Sequence, residues 1–216
     1  MNQIDELKEF HLDALRELSN VGAGHSATAL AQLLNRRVDM SVPYLHLVRV
    51  EEAVSCIDRD RGLTPTSLVS AVVSRTEGDV VFTAVVLLDG KSVNNILRIM
   101  KTGHTRDIEL TDLTAMDKSI VREIGNILLL HYISSVNTFL SLNAFPASPH
   151  ITTDMLQAVL DDLMTGSNTD ASHVLLVNVD IFTDPATLSA AVLLLPDAKA
   201  MDQLMTKLFG EGWQDF

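Results

Sequence analysis

The chain has 216 residues, of which 47% are hydrophobic and 20% charged, with a formal net charge of −12. That length and composition suit a globular protein with a core of its own, and the acidic balance argues against nucleic acid, whose phosphates need clustered Lys and Arg. A single cysteine, Cys56, excludes an internal disulfide and makes a reducing cytoplasm the expected compartment. The start, MNQIDELKEF, has neither the basic nor the apolar region of a signal peptide. The longest apolar runs, Ala84 to Leu88 and Ala190 to Leu195, are far shorter than the ~20 residues of a membrane helix and suit buried strands.

In chain order, periodicity predicts a helix over about 5–21 and a second over about 25–35. Strand-like segments follow at Val38 to Val42, Tyr44 to Ile57, Leu68 to Ser74 and Val80 to Leu88, then a helix over about 90–101. Helices are expected again over about 112–128 and 129–141, with a further helical stretch from Thr152 to Met164. Strands at Val174 to Phe182 and Thr187 to Leu195 and a helix over about 197–209 complete the order. Loops are expected at RDRGLTPT (59–66), KTGHT (101–105) and TGSNTDA (165–171).

The chain is written twice, with an offset of 106 residues. LDALRELSNV (12–21) aligns with KSIVREIGNI (118–127), Pro43 with Pro149, and Ala84, Val86, Leu87 and Leu88 with Ala190, Val192, Leu193 and Leu194. The period is too long for a solenoid unit. It implies a single pseudo-two-fold-symmetric domain of class α+β, made of two duplicated halves (about 1–105 and 106–216), with helices packed on one β-sheet.

Asp13, Glu17 and Asn20 are spaced i, i+4, i+7, so on a helix they project within about 60° of one another. Leu15, Leu18, Val21 and Gly22 fall on the other side. Ser119, Glu123 and Asn126 repeat the spacing, backed by Val121, Ile124, Ile127 and Leu128. A polar trio on one helix face is usually solvated surface. Here Glu and Asn recur in the second copy, and Asn is a mediocre residue in mid-helix. Shared descent of the halves would also explain the recurrence.

The two sets, Asp13, Glu17, Asn20, Pro43 and Ser119, Glu123, Asn126, Pro149, each read Asp/Ser, three residues, Glu, two residues, Asn, twenty-two residues, Pro. In this the sequence resembles the CheC family of chemotaxis phosphatases (CheC, CheX and FliY), and the resemblance runs over essentially the whole chain. Two signatures make it more similar to CheC than to the shorter CheX, and its length leaves no room for the extra flagellar-switch domain of FliY. Ser19 and His25 stand where glycine and asparagine are more usual, outside the signature positions.

The resemblance implies hydrolysis of the aspartyl phosphate of a CheY-type response regulator. Asn20 and Asn126 would orient the attacking water, and Glu17 and Glu123 would pair with a lysine of the regulator. Asp13 and Ser119 would support docking, and Pro43 and Pro149 would shape the backbone. Mg2+ would belong to the regulator, so no cofactor or metal is expected on this chain. CheD is a possible further partner, and a non-catalytic adaptor for CheD or a flagellar-switch component is the alternative function.

Other features point elsewhere only weakly. Gly22 to Ala27 fits GxGxxA, but that fingerprint must follow a strand, and here it follows a helix. Its glycines would break the helix or permit close packing. The seven histidines form no i, i+4 pair, and His11, His25 and His131 read as surface or core residues. Cys56, in a strand-like run without a basic helper, reads as a packed thiol. Methionines read as core filler, and Trp213 as packing the terminal tail.

Overall fold

The strand His173–Thr183 shows how the sheet is covered. Val174 and Leu176 enter one buried cluster, while Leu175, Val177, Val179 and Ile181 enter another. Successive strand side chains point to opposite faces, so a run apolar at every position is a strand buried on both. The structure is a computed structural model describing residues 9–41, 43–101, 106–141, 143–166, 173–184 and 186–211, without the side chains of residues 9–15, 18, 140, 166, 204 and 207–209. The expectations for 5–8, 102–105, 167–171, His11 and Trp213 lie outside these residues.

The elements run α1 (Glu9–Leu34), β1 (Asp39–Met40), β2 (Tyr44–Arg49), α2 (Val50–Arg61), β3 (Leu68–Gly78), β4 (Phe82–Asp89) and α3 (Gly90–Met100). A 3-10 turn (Leu110–Asp112) leads into α4 (Ala115–Leu140), β5 (Ala144–Pro146), β6 (His150–Met155), α5 (Leu156–Gly166), β7 (His173–Thr183), β8 (Ala186–Pro196) and α6 (Ala198–Phe209). The eight strands form one antiparallel sheet, ordered β1-β7-β8-β4-β3-β5, with β2 also on β7 and β6 also on β3. One face carries α1, α3, α4 and α6, and the other carries α2 and α5. The class is α+β, as the sequence implies, and the chain folds as a single domain on this sheet.

The duplication is visible in the register. Val86 of β4 lies opposite Val192 of β8, and these residues are 106 positions apart. A residue can face its own copy only on a two-fold axis, so the pseudo-axis passes between β4 and β8. The outer strands cross over: β2 of the first half pairs with β7 of the second, and β6 of the second pairs with β3 of the first. Each half therefore completes the other's sheet.

Three expectations are corrected. The helix pairs at 5–21/25–35 and 112–128/129–141 are single helices, α1 and α4. Gly22 does not break α1; a Cβ there would stand 3.1 Å from Tyr132 Cδ1 and 3.3 Å from Ser135 Oγ, so its role is close approach of α4. The segment 44–57 is not one strand. It turns at Val50 into α2, whose Val50, Ala53, Val54 and Ile57 are buried at helical spacing. Finally, Ile151 to Met155 belong to β6, so the helix of the second half begins only at Leu156. It is not an addition but the counterpart of α2.

Shorter differences follow the same logic. β1 is confined to Asp39–Met40, and β5 is an edge strand of three residues with no apolar run to announce it. The 59–66 loop begins only after Arg61, where Gly62 closes α2 in the left-handed conformation (φ 66°). Thr165 is still in α5.

Candidate functional site

Helices α1 and α4 carry the two polar sets and pack against each other on the sheet. Their meeting point is marked by His25 and His131, whose ring centroids are 6.0 Å apart. These histidines are again copies 106 positions apart, so this contact also sits on the pseudo-axis. Burial, and the neighbouring His25, keep the His131 imidazole below its ordinary value. Asn20 and Asn126 each precede their histidine by five residues. That is about 7.5 Å along the helix and about 140° around it, which turns each amide away from the helix–helix contact.

Accordingly Glu17 and Asn20 are exposed on α1, and on α4 Ser119 and Glu123 are exposed and Asn126 half-exposed. Among the described residues, the side chains of Glu17, Asn20, Glu123 and Asn126 form no hydrogen bond or ion pair. Ser119 Oγ accepts from Arg122 Nη2 at 3.3 Å. Pro43 is buried between β1 and β2, and Pro149 is half-buried before β6. Asp13 lies on α1, its side chain outside the described set. The structure thus brings Glu17 with Asn20, and Glu123 with Asn126, onto two symmetry-related open faces. It sets Pro43 and Pro149 apart at the entries to β2 and β6.

The backing of the two faces differs. Val121, Ile124 and Leu128 are buried behind the second trio, with Ile127 half-buried. Behind the first, Gly22 is buried, but Val21 is 40% exposed and belongs to the open face rather than the core. The helical repeat is the reason: Val21 follows Glu17 by four residues, which sets it about 40° from that residue, whereas the later Leu30 and Leu34 of α1 enter the core. Ser19, fully buried, occupies the position that Gly125 holds in α4.

The start of α4 is locked in place. Thr114 and Asp117 form a reciprocal capping box, and Lys101 Nζ reaches the buried Asp117 Oδ1 at 2.6 Å. Burial by itself would raise the Asp117 carboxyl, but the hydrogen bonds from Lys101 and Thr114 outweigh it and hold the group below the usual carboxylate range. Its contribution to stability is therefore complete above about pH 4, the unfolded value, and is lost as pH falls through the lower folded value. In urea denaturation between about pH 7 and about pH 3, Asp117→Asn should flatten this acid loss and lower the unfolding free energy at neutral pH by about 1–3 kcal/mol.

Sequence reasoning missed a polar cleft of ≈ 530 Å³ on the opposite face, lined by His46, Asp60, Arg61, Asn178 and Asp180 among others. Within it Arg61 Nη1 donates to Ala190 O at 2.9 Å. Burial pulls the Arg61 guanidinium below its ordinary value, against the opposing pull of Asp180, Asp89 and Asp60. Cys56, beside the cleft, lies on α2 and not on a strand. It is buried as expected, which pushes its thiol up, but it does have a basic neighbour: Arg59 Nη2 is 3.1 Å from Sγ.

Comparison with known proteins fits this geometry. Residues 10–47, which span α1 and the first signature through Pro43, match the CheC-like family. The CheY-P phosphatase CheC of Bacillus subtilis (strain 168) is 31% identical over 210 residues, covering 96% of this chain and 98% of that protein. The flagellar motor switch phosphatase FliY of the same organism is 41% identical over 46 residues, 21% of this chain and 12% of its own length. In fold, the chain is similar to the crystal structure of Thermotoga maritima FliY, with a TM-score of 0.68 at 18% identity over 94% of this chain and 97% of that one. Among the described residues no helix is long and apolar enough to cross a membrane. With 31% identity to CheC sustained from end to end, the chain belongs to the CheC family.

Proposed function

We propose that the chain hydrolyses the aspartyl phosphate of a CheY-type response regulator in the cytoplasm, at two sites, one on α1 and one on α4. The observation that carries this reading is the pair of open helix faces on which Glu17–Asn20 and Glu123–Asn126 recur across the pseudo-axis, each without a partner among the described residues. Groups that a fold needs are normally satisfied within it; these, exposed except for the half-exposed Asn126 and unengaged among the described residues, are open to another surface.

The chemistry suits the residue types. An acyl phosphate is cleaved by in-line attack of water, and the barrier falls through positioning and charge stabilisation. The carbonyl of Asn20 or Asn126 accepts a hydrogen bond from water and aims its lone pair at phosphorus, with no titration required. Glu17 and Glu123, three residues earlier on the same faces, pair with a lysine beside the phosphoryl group and set the register of the helix. Asp13 and Ser119 support docking at the edges. Pro43, being buried, shapes the turn into β2, and Pro149 does the same before β6. The Mg2+ of the reaction is the regulator's.

The test is phosphate release from a phosphorylated CheY-type regulator with and without the chain. Acceleration supports the reading. No acceleration by a folded chain, with or without CheD, would overturn it in favour of an adaptor that holds CheD. In the same assay the double charge reversal Glu17→Arg, Glu123→Arg should raise the half-saturating regulator concentration about tenfold or more, because a cation then faces the regulator's lysine. Its unfolding free energy in urea should stay within about 0.5 kcal/mol of the parent, as both residues are on the surface.

A further inference from the structure

The turn at Val50 that makes α2 a helix also assembles three unlike donor groups. His46 comes from β2, and Cys56 and Asp60 come from one face of α2 at i and i+4. Asp60 Oδ2 is 2.8 Å from His46 Nε2 and 3.9 Å from Cys56 Sγ, and the three ligand atoms all lie within 4.8 Å of one another. A tetrahedral ion with Zn–S of about 2.3 Å and Zn–N or Zn–O of about 2.0–2.2 Å needs ligand separations of about 3.4–3.6 Å. The observed spacings bracket these values, and each donor sits at the end of a rotatable side chain.

Against the expectation of no metal on this chain, the geometry points to a binding site for one zinc-type transition-metal ion, held by His46 Nε2, Cys56 Sγ and an Asp60 carboxylate oxygen, with its fourth position open to the polar cleft. Three further observations support it. Asn178 Nδ2 donates to Asp60 Oδ2 at 2.9 Å, the kind of outer partner that orients a ligating carboxylate. The cleft adjoining His46 and Asp60 gives an ion a route in and leaves room for water as the fourth ligand. And the fold does not need the trio: the copies of these positions in the second half are Thr152, Asp162 and Gly166, which retain neither the imidazole nor the thiol. Arg59 touches both Cys56 Sγ and Asp60, but its side chain is 66% exposed and can swing out as the ion enters.

The donor set also fixes the class of ion. Thiolate and imidazole suit zinc and its soft or borderline neighbours, whereas Mg2+ and Ca2+ prefer an all-oxygen shell. The site therefore stays distinct from the Mg2+ chemistry of phosphoryl transfer. Its ion ties β2, the strand lent to the other half's sheet, to the helix that follows it.

The metal-stripped full-length chain, titrated with Co2+, should bind one equivalent with a thiolate-to-cobalt charge-transfer band in the near ultraviolet. Zn2+ should displace the cobalt, and excess Mg2+ should not. Cys56→Ser should abolish the band. His46→Gln, a change at a partly exposed strand position, should weaken affinity by about 100-fold or more, and Asn178→Ala by about tenfold. Circular dichroism of each metal-free variant checks that it is folded; should Cys56→Ser not fold, His46→Gln and Asn178→Ala still locate the ion. A wild-type chain with no charge-transfer band, or an affinity unchanged by His46→Gln, overturns the site.

Discussion

The double variant Asn20→Ala, Asn126→Ala is expected to leave a folded protein whose presence no longer speeds release of phosphate from the regulator. On the proposed mechanism the amide supplies positioning alone. Misplacing a reacting group by about 1 Å costs about 100-fold, and losing one preorganised polar group costs about 100–1,000-fold. The stimulated rate should fall by at least that much, to the spontaneous rate. Each single variant should keep the activity of the intact copy: about half if the two faces are equivalent, and an unequal split would rank them. Stability moves the other way. Asn is exposed in α1 and half-exposed in α4, and Ala is the better helix former by a few tenths of a kcal/mol, so the urea midpoint should hold or rise slightly. Loss of activity with gain of stability cannot come from unfolding. Undiminished phosphate release by the double variant would sink the assignment of both amides.

The second large effect is expected at Gly125, the residue beside Asn126. A Cβ there would stand 2.6 Å from Val72 Cγ2, 2.7 Å from its Cβ and 3.0 Å from its Cγ1. Val72 is fully buried in β3 and stiff at χ1, so it cannot step aside, and α4 must lift from the sheet. Overpacking of this kind costs about 1–3 kcal/mol, partly offset by the roughly 1 kcal/mol that Ala gains over Gly in a helix. Gly125→Ala should therefore lower the melting temperature by several degrees, at about 2–4 °C per kcal/mol for a chain of this size. It should also impair the α4 site more than the α1 site, because the lift displaces Asn126. Adding Val72→Ala should restore much of both. Gly24 is the control. It is exposed within α1, and a Cβ there meets nothing within 4 Å, so Gly24→Ala should stabilise by about 0.5–1 kcal/mol. A Gly125→Ala protein as stable as the Gly24→Ala protein would show that α4 does not rest on Val72 as described.

How much of this was legible beforehand depends on whether a feature is local. The strands β4 and β8 are built on the apolar runs Ala84 to Leu88 and Ala190 to Leu195, and periodicity places them well. The i, i+4, i+7 trios depend only on the helical repeat, so the exposure of Glu17, Asn20, Glu123 and Asn126 could be read in advance. Helix α2 also had its signals, in the helical spacing of Val50, Ala53, Val54 and Ile57, the acidic Glu51 and Glu52 of its first turn and the closing Gly62. Its start was masked, because the N-cap, Arg49, offers no side-chain cap and the β-favouring run Tyr44 to Val48 leads straight into it. That one boundary also hid the His46, Cys56, Asp60 trio, since a strand through Ile57 would never have brought Asp60 back to His46. By contrast Thr114 and Asp117 announce α4 clearly. The side on which Val21 falls is set by the same repeat, four residues and about 40° from Glu17, but the passage of each half's outer strand to the other half is set by tertiary packing and leaves no mark on local sequence.

The exchange of outer strands has a consequence for how the chain is made. Tyr44 pairs with Asn178, so the edge formed by β2 cannot close until most of the polypeptide has left the ribosome. Until then the apolar faces of β2 and β3 wait without their partners, β7 and β6. Pairings this distant in sequence make for slow folding, and unpaired edges are where nascent chains go astray. A first half released alone would meet the same need by pairing with another copy of itself, which is a route by which truncated transcripts of such a duplicated gene would yield swapped dimers rather than monomers.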